Sequence, residues 1–540
     1  MKRRTFLRLS AGAGAGLLLP GAASAADQKL RFDFQYQNAV PEVFASTPKP
    51  PSYSTAIVIG SGFGGAISAL RLAQAGIQTT VLERGMRWPR DPQRQIFTTD
   101  TNPDGRGYWH RNNIVLFDYK PCFFNYFGGI FDATDYANIQ VWRGACVGGG
   151  SMVYTGCMIE PEQQYFEAIF GNTVSYDELH QIYYPRVRQM LRLSTMPDDI
   201  YNTAPFAHSR IWDSQVRAAG YQPYLTDSVF NWDVVRAELD GSSRPSATAG
   251  ESNLGNSNGA KYDLNQNYLK LAEDSGYATI YPGIQVLGIS RDQDGRYLVD
   301  VKTMDPFGKQ LDSYTLASDY LFLGAGSIGT SELLVRARAR GDLANLNEHI
   351  GEGWGTNGDS AVIRSGTPDA GPGTQQGTPC RSGITDGTLG LPTTMENWYQ
   401  LQVGPNLGIC GSLGMVFDQS NRGNFSYNAN SDSVTLNWAK NGNDDAKSVT
   451  TELNHKICDA SGARAGFPLT REVNASFTAH PLGGAVIGKA SDSYGRVLGY
   501  DKLYVMDGAG IPGTTGAVNP SLTISALAER NIEKILQTDF

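Results

Sequence analysis

The sequence predicts an α/β fold, or α+β over the whole chain, from three observations. Residues 55–59 form an apolar, β-branched run of the kind that builds a buried parallel strand. A glycine-rich turn, an amphipathic segment and a second β-branched run follow at once, in the order of a strand–turn–helix–strand unit. The chain has 540 residues, too many for one hydrophobic core, so we expect two domains.

Composition places the chain among ordinary globular proteins. Hydrophobic residues make up 41% of it and aromatic residues 10%, and its 62 glycines predict many tight turns. The formal net charge of −8 argues against nucleic acid as a partner, because binding to phosphates requires a basic surface.

The N-terminus has the features of an export signal. Residues 2–7 form a twin-arginine pattern, and the apolar residues 11–19 lead to a small-residue cleavage site at residues 23–25. A basic tail followed by a short apolar helix is the alternative. No later segment reaches the roughly 20 apolar residues that a membrane span requires. We therefore predict a signal peptide over residues 1–25 and a secreted or periplasmic protein.

The cysteines do not indicate a metal site, because none of them shows the close spacing of metal ligands. An exported protein can form disulfides, but the pairing cannot be derived from the sequence, and small buried residues are the plainer interpretation. The six cysteines are Cys122, Cys146, Cys157, Cys380, Cys410 and Cys458.

The glycine-rich turn after the first strand has the spacing of a dinucleotide-binding fingerprint. Gly60 makes the turn, Gly62 lets the backbone approach a pyrophosphate, and Gly65 allows close packing of helix on strand. The helix is predicted over residues 66–73, and its first N–H groups favour phosphate. Glu83 ends the second strand, where a ribose hydroxyl requires an acceptor. FAD and NAD share this ADP half, so the fingerprint does not choose between them.

Two further glycine clusters follow. Residues 148–151 read Gly-Gly-Gly-Ser, and residues 324–329 follow a strand predicted over residues 320–323. The second of these imitates the fingerprint but lacks a second strand with an acid at the proper distance. We expect it to form a tight strand-to-helix turn beside the first nucleotide unit.

Two proline-marked segments near the C-terminus present polar side chains. His480 and Asn519 each precede a proline, which pushes the preceding residue into extended backbone. An imidazole and an amide held in this way can act as base and hydrogen-bond partner on one substrate hydroxyl. A turn histidine bonded to backbone is the plainer interpretation of His480. Asn519 is also expected to cap a helix over residues 521–530, with Pro520 at its first position.

Together these motifs resemble the glucose–methanol–choline (GMC) family of flavoprotein oxidoreductases and, within it, the bacterial cholesterol oxidases whose FAD is not covalently bound. The similarity extends from about residue 54 to the C-terminus. It is carried by the fingerprint at Gly60, residues 148–151, His480 with the Pro-Leu-Gly-Gly that follows it, Asn519-Pro520, and residues 320–329, 332–338 and 526–531.

The resemblance implies non-covalent FAD as the hydride acceptor and an interleaved layout. A Rossmann-like FAD-binding domain would take residues 50–160, 265–350 and 465–540. A sheet-containing substrate-binding domain would take residues 161–264 and 351–464.

The resemblance also implies the reaction and the roles of the site residues. A 3β-hydroxysteroid would be oxidised to the 3-ketosteroid, and O₂ would be reduced to hydrogen peroxide. His480 would take the hydroxyl proton near the flavin, and Asn519 would contact the same oxygen. The expected FAD contacts are Gly60, Gly62, Phe63, Gly65, Glu83, Gly149, Gly150, Val286, Asp507 and Gly508.

The chain departs from the family pattern at some positions. Relatives isomerise the steroid double bond with a glutamate, and alignment by neighbours places Gln400 there, with Glu396 four residues earlier. An amide cannot shuttle a proton. The isomerisation is therefore doubtful, and the sequence does not decide which of the two residues occupies the position. Tyr154 and Ser521 stand where relatives carry asparagine and phenylalanine, which would alter the pocket or the oxygen route.

The expected partners are a sterol and O₂. We expect a monomeric protein, and transient contact with a membrane surface is compatible with a sterol substrate. Another bulky hydrophobic alcohol, oxidised by a related oxidase or dehydrogenase, is the alternative activity. An inactive flavin- or lipid-binding protein is the alternative of another class. An aromatic-rich stretch could line an apolar pocket or form ordinary core; it contains Tyr108, Trp109, Phe117, Phe123, Phe124 and Phe127.

Overall fold

The computed structural model describes residues 35–99, 103–114, 122–366, 373, 376–400, 406–467 and 475–540. The predicted signal peptide, residues 1–25, lies outside the described residues. The chain divides at Pro41 into two units. In the first unit residues 35–39 are helical. The second unit, Glu42–Phe540, contains all of the elements below.

The strands of the second unit follow the chain in this order: β1 (Tyr53–Ile59), β2 (Thr79–Leu82), β3 (Trp109–Ile114), β4 (Cys122–Gly128), β5 (Phe131–Tyr136), β6 (Ile139–Gly144), β7 (Tyr224–Leu225), β8 (Ala278–Tyr281), β9 (Ile284–Arg291), β10 (Tyr297–Met304), β11 (Gln310–Leu323), β12 (Asp359–Ser365), β13 (Ser382–Asp386), β14 (Thr393–Trp398), β15 (Cys410–Val416), β16 (Asn424–Asn428), β17 (Ser433–Asn437), β18 (Arg464–Ala465), β19 (Phe477–Thr478) and β20 (Leu503–Val505).

The α-helices are α1 (Phe63–Gln74), α2 (Gln163–Phe170), α3 (Tyr176–Glu178), α4 (Tyr184–Leu191), α5 (Asp198–Tyr201), α6 (Ala207–Ala218), α7 (Trp232–Asp240), α8 (Tyr268–Asp274), α9 (Gly326–Arg340), α10 (Asp444–Ser461) and α11 (Ser521–Thr538). Among the described residues, no helix is both long and apolar enough to cross a membrane.

A seven-stranded sheet forms the nucleotide-type half of the molecule. Strands β8, β2, β1 and β11 lie side by side and parallel, β20 pairs with the end of β11, and β10 and β9 extend the sheet antiparallel. Along β1 the side chains alternate between two cores, with Val58 in one and Ile57 in the other. Both faces are covered, as is usual for parallel strands.

Helix α1 is held on this sheet by neighbouring helices. The buried carboxylate of Glu529 in α11 accepts hydrogen bonds from Arg71 of α1 and from the hydroxyl of Tyr268 in α8, at 2.6 Å and 2.8 Å. A buried acceptor shared by three helices fixes their relative positions, because leaving it unpaired would be costly. The start of α1, which carries the fingerprint, is positioned in this way.

A second, six-stranded antiparallel sheet has the order β18-β12-β15-β14-β13-β7. Helices α6 and α10 cover it, with Trp212 of α6 and Leu453 of α10 buried against Met395 of β14. Three small sheets, β19-β6-β5, β16-β17 and β3-β4, complete the strands.

The predicted strand–turn–helix–strand unit is confirmed as β1, α1 and β2. The glycine cluster of residues 324–329 forms the predicted strand-to-helix turn, because Gly324 connects β11 to α9 beside β1. The strands of the seven-stranded sheet all come from the three segments predicted for the FAD-binding domain. The boundaries proposed for the two domains remain a prediction, because Glu42–Phe540 form one compact unit.

Candidate active site

The fingerprint turn between β1 and α1 has three glycines with three different surroundings. Gly60 has a φ of +91°, and a Cβ there would lie 2.3 Å from the carbonyl oxygen of Gly324. A Cβ on Gly65 would lie 2.0 Å from the oxygen of Gly60. A Cβ on Gly62 would meet no atom within 4 Å. The outer two glycines therefore permit close packing, and Gly62 leaves open space in front of the turn.

The glycine cluster of residues 148–151 lies against this turn. A Cβ on Gly149 would lie 2.7 Å from Cα of Gly62, and Gly148 N donates to Oγ of Ser61 at 3.1 Å. The same Ser61 hydroxyl donates to Oε2 of Glu83 at 2.7 Å. Ser61 thus connects the fingerprint, the end of β2 and the glycine cluster of residues 148–151.

Glu83 is buried at the end of β2, as its position in the motif predicts. Its carboxylate also accepts from the backbone N–H groups of Ser61 and Gly85 at 3.1 Å and 2.9 Å. Burial raises the pKa of Glu83, and these hydrogen bonds oppose that rise. Its proposed contact with a ribose hydroxyl remains a prediction.

One cavity of about 720 Å³ brings the N-terminal and C-terminal motifs together. Among the predicted residues, Gly65 alone is absent from its wall, because Gly65 packs on Gly60 instead. The predicted residues that line the cavity are Gly60, Gly62, Phe63, Glu83, Gly149, Gly150, Val286, His480, Asp507, Gly508 and Asn519.

Asp507 lies where the end of β20 meets the start of α9. Its side chain accepts from Gly326 N at 2.8 Å, Thr330 Oγ1 at 2.6 Å and Ala509 N at 2.9 Å. Burial raises the pKa of Asp507 to about 6, against the effect of these three bonds. The carboxyl group is therefore held rigidly at the cavity wall by protein groups alone.

His480 is oriented by a carboxylate that the sequence analysis did not identify. Nδ1 of His480 lies 2.7 Å from Oδ1 of Asp359, the first residue of β12. An ionised carboxylate only accepts hydrogen bonds, so Nδ1 carries the proton and Nε2 is the free acceptor. Burial alone would lower the pKa of His480, but the Asp359 charge and hydrogen bond outweigh it and raise that pKa.

Asp359 is itself fully buried and held in place. Its Oδ2 accepts from Ala479 N at 2.9 Å and from Thr478 Oγ1 at 3.0 Å. These donors come from the residues that precede His480. The carboxylate therefore positions both the imidazole and the backbone that carries it.

The prediction that Asn519 caps a helix is wrong. Helix α11 begins at Ser521, Pro520 occupies the cap position, and no side chain caps the helix. The amide Nδ2 of Asn519 instead donates to Oε2 of Glu396 at 3.4 Å. Since Pro520 has already turned into helical backbone, the Asn519 side chain is free to point into the site.

Glu396, rather than Gln400, lies beside the predicted catalytic pair. Glu396 belongs to β14 and is buried, with burial raising its pKa to about 7. The backbone N–H of Gln400 donates to Gln376 at 2.6 Å. Neither Glu396 nor Gln400 is among the residues that line the cavity, so the contact with Asn519 is what distinguishes Glu396. The structure therefore places Glu396, and not Gln400, next to Asn519, and which of the two holds the family's glutamate position stays a prediction. An offset of four residues along a strand moves a side chain about 13 Å.

Three buried polar atoms near the pair have no hydrogen-bond partner among the described residues: Oδ1 of Asn519, Oε1 of Glu396 and Oγ of Ser521. Buried polar atoms are normally paired. Their presence beside a cavity, together with the open space at Gly62, fits a bound cofactor and substrate. The N-terminus of α11 adds N–H groups on the same wall, which favours negative charge there.

The aromatic residues at the cavity differ from the predicted stretch. None of its described members lines the cavity: Tyr108 and Phe127 are core residues, while Phe123 is 75% exposed. Phe117 lies outside the described residues.

The cavity is lined instead by Trp142, Trp398 and Phe477. The rings of Trp142 and Phe477 have centroids 4.5 Å apart, and those of Trp142 and Trp398 6.4 Å. Tyr154 and Ser521, the two departures from the family pattern, also line the cavity.

The residues that the sequence analysis missed carried weak signals. Asp359 starts a strand 121 residues before His480, and no motif connects the two. Trp398 follows Glu396 by two residues, and this spacing puts both side chains on the same face of a strand. That parity could have indicated which face of β14 points inward.

The six cysteines all lie among the described residues, and none of them forms a disulfide bond there. Cys122 is exposed and the other five are buried. The interpretation as small buried residues therefore holds for five of them.

Part of the chain matches a known protein family. Residues 428–528 match the family model of GMC oxidoreductases. This range contains both His480 and Asn519.

Curated proteins with similar sequences include cholesterol oxidases. The chain is 28% identical over 546 residues to a cholesterol oxidase of Mycobacterium tuberculosis, with 89% of this chain and 90% of the relative covered. It is 26% identical over 552 residues to a cholesterol oxidase of Acinetobacter baumannii, with 89% of this chain and 94% of the relative covered.

Solved structures show the same fold at low sequence identity. Pyridoxine 4-oxidase from Mesorbium loti superposes with a TM-score of 0.62 at 15% identity, over 90% of this chain and 99% of that chain. This likeness supports the α/β fold.

Proposed function

We propose that this chain oxidises the 3β-hydroxyl group of a sterol. The proposal starts from what the comparisons support: a GMC flavoprotein that resembles cholesterol oxidase and is an FAD-dependent alcohol oxidoreductase. The product is the 3-ketosteroid, and O₂ is reduced to hydrogen peroxide. The observation that carries the proposal is the His480–Asp359 pair beside Asn519, in the same cavity as the nucleotide fingerprint.

Bound FAD supplies the hydride acceptor, and we propose that it is held without a covalent bond. The open space at Gly62 and the N-terminus of α1 suit its pyrophosphate. Glu83 suits a ribose hydroxyl, and Asp507 with Gly508 lies on the same cavity wall.

His480 takes the proton of the substrate hydroxyl at Nε2. A hydride can leave the alcohol carbon only as the oxygen loses its proton, because the ketone forms at the same time. Asp359 holds the imidazole in the required tautomer and offsets the positive charge that the ring acquires. Asn519 contacts the same substrate oxygen and limits its movement. General base catalysis of this kind contributes about 10²–10⁴ in rate.

The apolar wall supports a large hydrophobic substrate. Trp142, Trp398 and Phe477 form a cluster of aromatic rings in the cavity wall, and Leu413 and Ile524 add aliphatic surface. A sterol skeleton offers flat apolar faces to such a wall, and the burial of these faces favours binding. We propose a transient approach to a membrane surface as the route by which the sterol enters, since the free sterol is poorly soluble.

Glu396 favours a second step, the migration of the steroid double bond. It is buried next to Asn519, its Oε1 is unpaired among the described residues, and its pKa of about 7 suits the uptake and return of a proton. We propose that Glu396 moves a proton between two ring carbons of the 3-ketosteroid, giving the conjugated enone.

A colour test decides the main proposal. The purified protein is expected to be yellow, to lose its colour anaerobically with cholesterol, and to recover it with one peroxide per cycle when air is admitted. Lack of bleaching with every sterol would refute the sterol assignment. Bleaching without recovery in air would indicate a dehydrogenase, and bleaching with other bulky alcohols only would indicate the alternative substrate.

We propose that the protein is exported through its twin-arginine segment, residues 2–7, and acts as a monomer. Export is tested by locating the protein in cells that carry Arg3→Lys and Arg4→Lys together. Retention of the double variant in the cytoplasm is expected, and unchanged export would contradict the proposal. Light scattering of the purified protein tests the monomer.

A further inference from the structure

Asn357 occupies a left-handed turn immediately before β12. Its φ is +57°, a region that asparagine enters more readily than most residues, and its side chain is fully buried. Asp359, which orients His480, follows two residues later. The turn therefore belongs to the same chain segment as the partner of the proposed base.

The side chain of Asn357 forms hydrogen bonds with the segment that leads to Asn519. Oδ1 accepts from Thr515 N at 2.9 Å, and Nδ2 donates to the carbonyl oxygen of Val518 at 2.8 Å. The Thr515 hydroxyl lies 3.1 Å from Asn357 Oδ1 and 2.7 Å from Val518 O, so its single proton goes to the nearer Val518 O. The backbone N–H of Asn357 donates to Gly513 O at 3.1 Å. These contacts span the loop of residues 513–518.

The carbonyl of Val518 belongs to the peptide group that also contains the nitrogen of Asn519. Because a peptide group is planar, holding that carbonyl fixes the plane from which the Asn519 side chain projects. The loop needs such support, since Ala517 has a φ of +62°, which is unfavourable for a residue with a Cβ.

The other end of the turn holds the segment before His480. The Thr478 hydroxyl, which has one proton, lies within hydrogen-bonding distance of both Thr356 O at 3.1 Å and Asp359 Oδ2 at 3.0 Å, and Ala479 N donates to the same Oδ2 at 2.9 Å. One turn of four residues, Thr356 to Asp359, is thus hydrogen-bonded to both chain segments that carry the proposed catalytic side chains.

We propose that Asn357 is a positioning residue that sets the placement of Asn519 relative to His480. Through Val518 O it holds the Asn519 amide at the substrate oxygen, while Asp359 holds the imidazole from the same turn. This inference rests on the proposed function of Asn519, and it assigns Asn357 no contact with substrate or cofactor.

Asn357→Gly tests the inference with little backbone strain, because glycine adopts a positive φ readily. The rate of anaerobic flavin reduction by the alcohol should fall about tenfold, as expected for one lost buried hydrogen-bond partner. FAD content should be unchanged. Arg192→Gly is the matched control, since Arg192 has a φ of +54° at an exposed helix end, and its rate should equal that of the wild type.

A double-mutant cycle separates positioning from general destabilisation. In the Asn519→Ala background, Asn357→Gly should cause no further loss, since its effect passes through Asn519. An equal loss in both backgrounds would overturn the inference. Asn357→Asp keeps the acceptor for Thr515 but loses the donor to Val518 O, so it should lose as much activity as Asn357→Gly. A wild-type rate for this variant would also overturn the inference.

Hydrogen exchange gives a readout that does not depend on the reaction. In holoprotein carrying Asn357→Gly, the amides of residues 513–519 should exchange about tenfold faster, while those of β1 keep their protection. Unchanged exchange in residues 513–519 would refute the role of Asn357 even if no sterol is oxidised. Failure of the wild type to bleach with sterols would refute the proposed function alone.

Discussion

Nδ1 of His480 donates to Oδ1 of Asp359 across 2.7 Å, although 121 residues separate them in the chain. Asp359 opens β12 of the six-stranded sheet, whereas His480 follows β19 of a different sheet. The pairing therefore joins the six-stranded sheet to the segment that follows the three-stranded sheet β19-β6-β5, at the cavity. It also determines which nitrogen of the ring is available to a substrate.

Asp359→Asn should shift the pH dependence of flavin reduction to lower pH. The Asp359 charge raises the pKa of His480, and the base acts in its neutral form. Removal of the charge lowers that pKa, so the rising part of the curve of rate against pH shifts to lower pH. Because the imidazole is then a weaker base, the maximal rate at high pH should fall at least about tenfold. Stopped-flow reduction over a pH series measures both effects. If the rising part of this curve stays at the same pH, a group other than His480 controls the pH dependence.

His480→Ala should reduce the rate of flavin reduction by about 10²–10⁴ while the FAD content stays near that of the wild type. The imidazole acts on the substrate proton, and its hydrogen-bond partner is Asp359, which lies outside the fingerprint. The ratio of flavin to protein absorbance and single-turnover reduction are measured on the same sample. A variant that loses flavin but remains fully active per bound flavin would contradict the assignment.

Glu396→Gln should separate oxidation from isomerisation. An amide cannot carry the proton between ring carbons, so the unconjugated 3-ketosteroid should accumulate, while oxidation slows less than about tenfold. Gln400→Ala, four residues along the chain, serves as the control and should still yield the ultraviolet-absorbing enone. Conjugated product from Glu396→Gln at the wild-type rate would assign the proton transfer to a different group.

Glu396→Gln should also raise stability at high pH. Burial raises the pKa of Glu396 from 4.5 to about 7, so the folded protein holds this proton more tightly than the unfolded chain does. Wild-type stability therefore falls as pH rises from 4.5 to 7, and the glutamine variant lacks this loss. Melting temperatures at pH 5 and pH 9 should differ less in the variant. The exposed Glu452→Gln should show no such effect.

Gly62→Ala and Gly64→Ala form a matched pair within the fingerprint. A Cβ on Gly62 meets only open space, so this variant should fold normally but retain FAD about tenfold less well. A Cβ on Gly64 would lie 1.8 Å from the oxygen of Met506, so that variant should lose about 1–3 kcal/mol or more of folding stability. Flavin retention and thermal melting distinguish them, and equal behaviour would contradict the assignment of open space to the cofactor.

Local signals in the sequence were sufficient for the nucleotide unit. The β-branched runs predict β1 and β2, glycine spacing predicts the turn, and Glu83 directly follows β2, close to its expected place at the end of the strand. These features depend on neighbours in the chain, since strand, turn and helix preferences act over a few residues. Helix α11 shows the limit, because the proline rule alone could not tell which of two residues occupies the cap.

The sequence by itself determined the α/β unit, the two glycine clusters beside it, and His480 and Asn519 as polar residues in constrained backbone. Only the tertiary structure decided what orients them. Asp359 and Glu396 come from strands of another sheet, and strand pairing between distant segments leaves no local pattern. It also placed Glu396, and not Gln400, next to Asn519, because which of two residues on the same side of a strand meets a distant segment depends on how the sheets pack.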